Sequence, residues 1–303
     1  METLTTQTRQ KTDYKDVYQT VTDTIIQQLE KGTIPWHQPW TGANSKLLQL
    51  PRNFETGKKY RGVNILLLWC AALNKNYDQS EWATYKQWEK QNEFPRAREK
   101  SSKIVKYDTI KREEDGEIKE IPFLKVYNVF NRCQLQSYNP PAQDQFENLN
   151  DLVEKIDVVD EFIANTKAMI RHSTEGAHYN PNTDEINIPF PELFKATTTC
   201  SATEGLYSTT LHELTHWTGG KHRLNRLERC KFGDKKYAAE ELIAELGAAF
   251  LCSGFDIATV EKGDHAGYID HWLKILKEDN HFIIKVASEA SKAVDHLENL
   301  QPK

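Results

Sequence analysis

The chain has 303 residues, 38% of them in the apolar set AVILMFWYC and 27% charged; this balance excludes a disordered or membrane-embedded chain, and at roughly 150 residues per domain it favours two domains. Five cysteines, Cys70, Cys133, Cys200, Cys230 and Cys252, are odd in number, scattered and without a CxxC pair, which argues against a disulfide framework or a thiolate zinc site. The net charge of −5 divides unevenly, +3 over residues 1–150 and −8 over residues 151–303, so the two halves are expected to face different partners.

In chain order, a polar start without an apolar leader segment predicts a cytoplasmic protein. Thr12 or Asp13 can cap a helix in which Val17, Val21, Ile25 and Leu29 recur every fourth residue up to Gly32. The loop IPWHQPW (34–40) and the stretch PRNFETGKKYRGVN (51–64) lead into an apolar helix, and Ser80 opens another. The longest apolar run, Ile65 to Leu73, is nine residues, far short of the ~20 that span a bilayer. Alternation from Ile104 to Ile110, a turn at EEDG and the run IPFLKVYNVF (121–130) predict two strands. NPPAQDQFENLN (139–150) has two prolines and no periodicity, which marks a linker. Beyond it come a helix over Asp151 to Ile170, a turn at YNPNTD and the strand EINIP (185–189), expected as an edge strand able to pair with an extended peptide. A helix through Thr209 to Trp217, preceded by Ser208, Thr209 and Thr210 and stopped by Gly219 and Gly220, is followed by a helix Tyr237 to Cys252 and a helical tail. The expectation is an α+β fold: an N-terminal α+β domain (12–138), a linker (139–150) and a mainly helical domain with a small sheet (151–303).

The sharpest signal is HELTH (212–216). On a helix, positions i and i+4 share a face, so His212 and His216 can aim both imidazoles at one Zn²⁺ while Glu213 projects toward the metal-bound water as general base. A third ligand must come from elsewhere, and AAEELIAELGAAFLC (238–252) offers Glu240, Glu241 and Glu245 in an apolar helix. The simplest division makes Glu241 the ligand and Glu245 an acceptor for a ligand-histidine N–H; the reverse is open. Such a site lowers the pKa of bound water to about 7 and suits metal-assisted amide hydrolysis. Tyr207, His222 and Arg223 are the nearby nominees for an oxyanion donor, while the other histidines of this half lack ligand spacing. Zn²⁺ fits the donor set, as do Mn²⁺, Fe²⁺ and Co²⁺.

From Lys46 to Arg132 there are 18 basic against 12 acidic residues interleaved with aromatics, the combination that holds single-stranded nucleic acid through phosphate contacts and stacking. Trp69 and Trp82 are expected inward. Trp36, Trp40, Lys58, Lys59, Arg61 and the stretch Arg96 to Lys106, with Arg98, Lys100 and Lys103, are the surface candidates.

Seven blocks, GTIPWHQPW, TGKKYRGVNILLL, VYNVFNRCQ, YNPNTDEINIP, LYSTTLHELTHWTGGKHRLNR, YAAEELIAELGAAFLC and HAGYIDHWLKILKEDNHFI, give the chain from Tyr14 to about Leu297 a resemblance to the ArdC-type antirestriction proteins of conjugative plasmids and related mobile elements. The resemblance implies an N-terminal single-stranded-DNA-binding domain, a C-terminal zincin-like metallopeptidase domain, and protection of incoming DNA from host restriction. One departure stands out: EKQNEFPRAREKSSKIVK, between Trp88 and Tyr107, has no glycine where the family has a Gly-rich basic segment. Two other functions compete, a non-catalytic DNA-binding shield with a structural zinc and a regulatory metalloprotease with a host protein substrate.

Overall fold

A computed structural model describes residues 16–37, 49–114, 117–140, 152–197, 200–227, 235–259 and 265–302. Helix α1 (Val17–Leu29) starts at Asp16, whose carboxylate accepts the Tyr18 N–H at 3.0 Å; the caps expected at Thr12 or Asp13 lie outside the described residues. Its Val21, Ile25 and Leu29 are buried, as their spacing predicts, and the chain leaves through Gly32 at φ +75°. Strand β1 (Arg52–Asn53) precedes the apolar helix α2 (Val63–Lys75). The helix expected from Ser80 is instead strand β2 (Glu81–Ala83) followed by the short helix α3 (Tyr85–Glu89). The chain turns helical only at Thr84, which forms a reciprocal capping box with Gln87. Strands β3 (Ser102–Glu114) and β4 (Glu117–Asn131) form a long antiparallel hairpin, and the sheet order is β1-β2-β4-β3, with β1 and β2 parallel.

In the second half the helix expected over 151–170 is shorter. Helix α4 (Asp157–Asn165) stops before Lys167, which takes a left-handed conformation (φ 58°), and the chain continues as strand β5 (Met169–Ser173). Strands β6 (His178–Asn180) and β7 (Glu185–Pro189) complete a three-stranded sheet ordered β5-β7-β6. EINIP is therefore the central strand, parallel to β5 and antiparallel to β6, and not an edge. Its Ile186 and Ile188 are buried on one face of the sheet, packed with residues of α4 and α5. Helices α5 (Ala202–Thr218), α6 (Lys235–Gly254), α7 (His265–Glu278) and α8 (Phe282–Asn299) follow. Helix α5 begins before the Ser208 to Thr210 run, at Ser201, whose hydroxyl and Glu204 cap each other's backbone N–H groups.

The largest core is shared by both halves. Val21, Ile25 and Leu29 of α1 and Leu66 and Trp69 of α2 pack in one cluster with Leu242 and Phe250 of α6, Trp272 of α7 and Ile283 and Ala287 of α8. A second cluster joins α4, β7, α5 and the C-terminal ends of α6 and α8. Burying each such aliphatic side chain contributes ~1.5–3 kcal/mol, so the halves depend on each other for a substantial part of their stability. Within this frame α5 and α6 approach closely at Gly247, where an added Cβ would sit 2.5 Å from Cγ2 of Thr215. The contact fixes the two helices that carry the HELTH motif and the glutamates.

Candidate metal centre

Helix α5 presents His212 and His216 from successive turns, with ring centroids 4.9 Å apart and planes at 80°. Helix α6 brings Glu241 between them: its carboxylate oxygens lie 3.8 Å from His212 Nε2 and 3.6 Å from His216 Nε2. One donor atom from each residue falls within 4.8 Å of the others, the one such group of ligating side chains among the described residues. Two ligand atoms held ~2.0–2.1 Å from a tetrahedral ion are about 3.4 Å apart, so the three donors fit a divalent cation with little adjustment.

Behind the donors lies a second arrangement. His216 Nδ1 is 3.3 Å from Glu240 Oε1, and both Glu240 oxygens accept from Arg226, at 3.1 Å from Nε and 3.0 Å from Nη2. Arg226 also donates to the Thr215 carbonyl at 2.9 Å and to the Thr218 hydroxyl at 3.0 Å, closing the C-terminal end of α5, where a cation is favoured. Glu240 is 4% exposed; burial raises its pKa, but the His216 and Arg226 hydrogen bonds outweigh burial and hold it below the usual carboxylate value. For His216 burial lowers the pKa, while Glu240, Glu213 and Glu241 together raise it above the ordinary imidazole value. A carboxylate on Nδ1 makes that nitrogen the protonated one and leaves the Nε2 lone pair for an ion.

The glycine pair after α5 serves this packing. Gly219 has an ordinary φ of −75°, but a Cβ there would meet Arg226 Nη2 at 3.1 Å, and one on Gly220 would meet the Tyr179 hydroxyl at 2.8 Å. The pair leaves space for the two arginines of GGKHRLNR to fold back on the helix end.

A cavity of about 580 Å³ opens over the donors, with Glu213 on its wall beside His212, His216 and Glu241. Glu213 is 7% exposed, so it works in a water-poor setting where a charged group acts strongly on what lies beside it. The edge strand β6 supplies His178 and Tyr179 to the same wall. Glu245 also lines the cavity, but Glu240 is the carboxylate on His216; Glu245 Oε2 instead accepts from Trp36 Nε1 at 3.2 Å and faces His37 Nε2 at 3.6 Å. The three oxyanion nominees do not line the cavity. The Tyr207 hydroxyl donates to Asp160 at 2.8 Å and accepts from the Ile156 N–H. Arg223 is bound to the Trp217 carbonyl, Asp184 and Tyr179, and His222 is exposed.

The nucleic-acid candidates divide. Trp36 is 1% exposed and packs in the shared core, which overturns its expected place on the surface. Trp69, Trp82 and Trp88 are buried too, and Trp40 lies outside the described residues. Interleaving along the sequence cannot tell a ring that fills a core from one offered to solvent. Lys59 pairs with Glu298 at 3.7 Å and Arg61 pairs with Asp295, both on α8. Arg96 pairs with Glu99 and donates to the carbonyls of Cys133 and Leu135, a brace within the fold. Lys58, Arg98, Lys100 and Lys103 are exposed, and among the described residues the exposed rings of this half are Tyr85 and Tyr107, at 46% and 54%. No helix among the described residues is long and apolar enough to cross a membrane.

Comparison with known proteins places these observations in a family. Residues 15–130 match the N-terminal domain of anti-restriction factor ArdC, and residues 157–289 match a zincin-like metallopeptidase domain. The chain is 33% identical over 291 residues to the uncharacterized protein y4eC of Sinorhizobium fredii (strain NBRC 101917 / NGR234), covering 93% of this chain and 91% of y4eC. It is 31% identical over 303 residues to the DNA primase TraC of Escherichia coli, of which it spans only 27%. The crystal structure of the antirestriction protein ArdC from plasmid R388 superposes with a TM-score of 0.78 in its metal-free form and 0.76 in its Mn(II)-bound form. Identity is 40% and 39%, with 94% of this chain and 98% of that one covered in each case. An N-terminal domain of the ArdC kind joined in one α+β chain to a zincin-like domain is the family's arrangement, and the chain belongs to the ArdC family of antirestriction proteins.

Proposed function

We propose that this chain is an antirestriction protein that binds single-stranded DNA through its N-terminal half and carries a divalent-metal site of the amide-hydrolase type in its C-terminal half. The observation that carries the reading is the convergence of His212, His216 and Glu241 on one point, with Glu240 and Arg226 fixing the tautomer of His216. Two imidazoles and a carboxylate suit Zn²⁺, and the R388 relative is described with Mn(II).

When bound, the ion supplies Lewis acidity for amide hydrolysis. Glu213, buried on the cavity wall, takes the proton of the attacking water and returns it to the leaving amine. Glu240 keeps the Nδ1 proton of His216 in place throughout. An extended peptide can add to β6, which pairs only with β7 among the described residues and lines the cavity with His178 and Tyr179. DNA is the partner suggested by the names of the relatives, an antirestriction protein and a primase. Lys58, Arg98, Lys100 and Lys103 track phosphates, and Tyr85 and Tyr107 offer the stacking faces.

Elemental analysis and metal titration of the wild type beside Glu241→Ala test the site: the wild type holds one divalent ion per chain and the variant loses it. A wild type without affinity for Zn²⁺ or Mn²⁺ refutes the metal reading. Glu213→Ala then separates hydrolysis from shielding. If it keeps the metal and still protects DNA from restriction in a recipient cell, the working step is DNA binding and not peptide cleavage.

A further inference from the structure

Two of the cations expected to meet DNA, Lys59 and Arg61, are held by the other half of the chain. They lie on the loop ETGKKYRG (55–62) between β1 and α2, whose base is firmly built. The Asn53 N–H donates to the Lys58 carbonyl at 2.8 Å and the Tyr60 N–H to the Pro51 carbonyl at 2.7 Å, with Gly57 at φ +67° in the turn. The loop then runs along α8. The Gly62 N–H donates to the Ser291 hydroxyl at 2.8 Å, Arg61 pairs with Asp295, and Lys59 Nζ is 3.7 Å from Glu298 Oε1. Ser291, Asp295 and Glu298 follow one another at helical spacing, so a single face of α8 meets the loop along its length.

The position of these acids on α8 is costly in itself. Glu298 lies in the last turn and Asp295 borders it, where the helix dipole disfavours carboxylates and favours cations. Lys59 and Arg61 offset that cost. The pairs nevertheless face solvent: the Lys59 and Arg61 side chains are 59% and 60% exposed, and that of Glu298 is 50% exposed. Ion pairs this open are weak and exchange readily. A guanidinium binds phosphate oxygens with the fork it offers a carboxylate, so a phosphodiester can replace Asp295 on Arg61. Lys58, exposed on the same loop, is a phosphate contact in the DNA reading, and a strand lying on it arrives beside both carboxylates. They oppose it twice over, by occupying the neighbouring cations and by repelling its charge.

We infer that the Asp295 and Glu298 face of α8 is an autoinhibitory stand-in for the DNA backbone. It occupies Lys59 and Arg61 in the free protein, single-stranded DNA displaces it, and the second half of the chain thereby restrains DNA binding by the first. This rests on the DNA reading above.

The test titrates a fluorescein-labelled oligothymidylate with the full chain and follows fluorescence anisotropy over a range of NaCl concentrations. Wild type is compared with the double variant Asp295→Asn, Glu298→Gln. The double variant should bind about fivefold more tightly. Its plot of log affinity against log salt should steepen by about 1.4, for two added phosphate contacts on a single strand. Adding Lys59→Gln and Arg61→Gln to the double variant should abolish the gain. A control with the same net charge, Glu175→Gln with Glu192→Gln, removes two exposed acids elsewhere in the second half and should stay within about 1.5-fold of wild type at physiological salt. Equal affinity of wild type and double variant overturns the inference. So does weaker binding by the double variant, which would make α8 a support for the loop, and so does an equal gain in the control, which would make net charge the cause. Circular dichroism checks the fold; should the double variant not fold, Glu298→Gln alone carries the comparison, with a gain of about twofold expected and none overturning the inference. A wild type that does not bind the oligonucleotide at low salt removes the DNA reading, and this inference with it.

Discussion

Replacing Glu240 with alanine tests the arrangement behind the metal donors, because two consequences follow from one carboxylate. Arg226, with its side chain only 8% exposed, would keep its charge but lose its anionic partner. Breaking a buried pair from one side costs about 3–5 kcal/mol, and at the low end this lowers the melting temperature of a protein of this size by about 5 °C. His216 would also lose the acceptor 3.3 Å from Nδ1, freeing its tautomer and ring orientation, and outer partners of this kind are worth about 10–100-fold in metal affinity. Scanning calorimetry of the metal-free protein reads the first effect, and competition with a chromophoric chelator reads the second. Glu240→Gln keeps the shape and one acceptor oxygen without the charge, so it should fall between wild type and alanine in both assays. If Glu240→Ala melts within about 1 °C of wild type and binds Zn²⁺ equally well, the proposed chain from Arg226 through Glu240 to His216 carries nothing.

Gly247→Ala places a methyl 2.5 Å from Thr215 Cγ2 and should destabilise the protein by ~1–3 kcal/mol in urea denaturation, with weakened metal binding because α5 and α6 are pushed apart; wild-type stability would mean that the helices yield freely. Asp184 is held below its ordinary pKa chiefly by the Arg223 hydrogen bond, so its contribution is present above the unfolded value of about 3.9 and fades as pH falls through the lower folded value. Because its side chain is half exposed, the effect is small, under about 1 kcal/mol, and the melting difference between wild type and Asp184→Asn should shrink on acidification below about pH 4; a constant difference counts against the ion pair. Trp36→Ala should destabilise the fold by ~3–5 kcal/mol, whereas Tyr107→Ala should leave stability intact and weaken single-stranded oligonucleotide binding by ~1–3 kcal/mol in fluorescence anisotropy. The opposite pattern would return the tryptophan to the DNA surface.

The candidate donor pair was legible in the sequence because a helix converts four-residue spacing into a shared face. His212 and His216 needed no tertiary information, whereas the sequence left Glu241 and Glu245 interchangeable as third donor, and it is the packing of α6 on α5 that brings Glu241 beside the two imidazoles. Glu240 and Glu245 could not be assigned in the same way. Neighbouring positions on an apolar helix point about 100° apart, and which one meets His216 depends on how α6 is rotated against α5, a rotation set by Gly247 meeting Thr215. His37 was invisible for a stronger reason: its partner is 208 positions away in the chain, and nothing local to IPWHQPW speaks of a cavity. Elsewhere the apolar spacing of α4 ran on into β5, since the left-handed Lys167 that separates them carries no glycine to announce it. Strand β6, at three residues, is too short for alternation to register, and without it EINIP reads as an edge.

Helix α8 belongs to both apolar clusters, with Ile283 and Ala287 in the first and Leu297 in the second, while its outer side holds Arg61 and Lys59 through Asp295 and Glu298. A protease nick between the two family regions should therefore leave the molecule in one piece, its fragments co-eluting on gel filtration until a denaturant parts them. Expressed alone, either fragment exposes an oily slab that its missing counterpart normally covers, and insolubility of such a fragment says nothing about the activity it carries in the whole molecule.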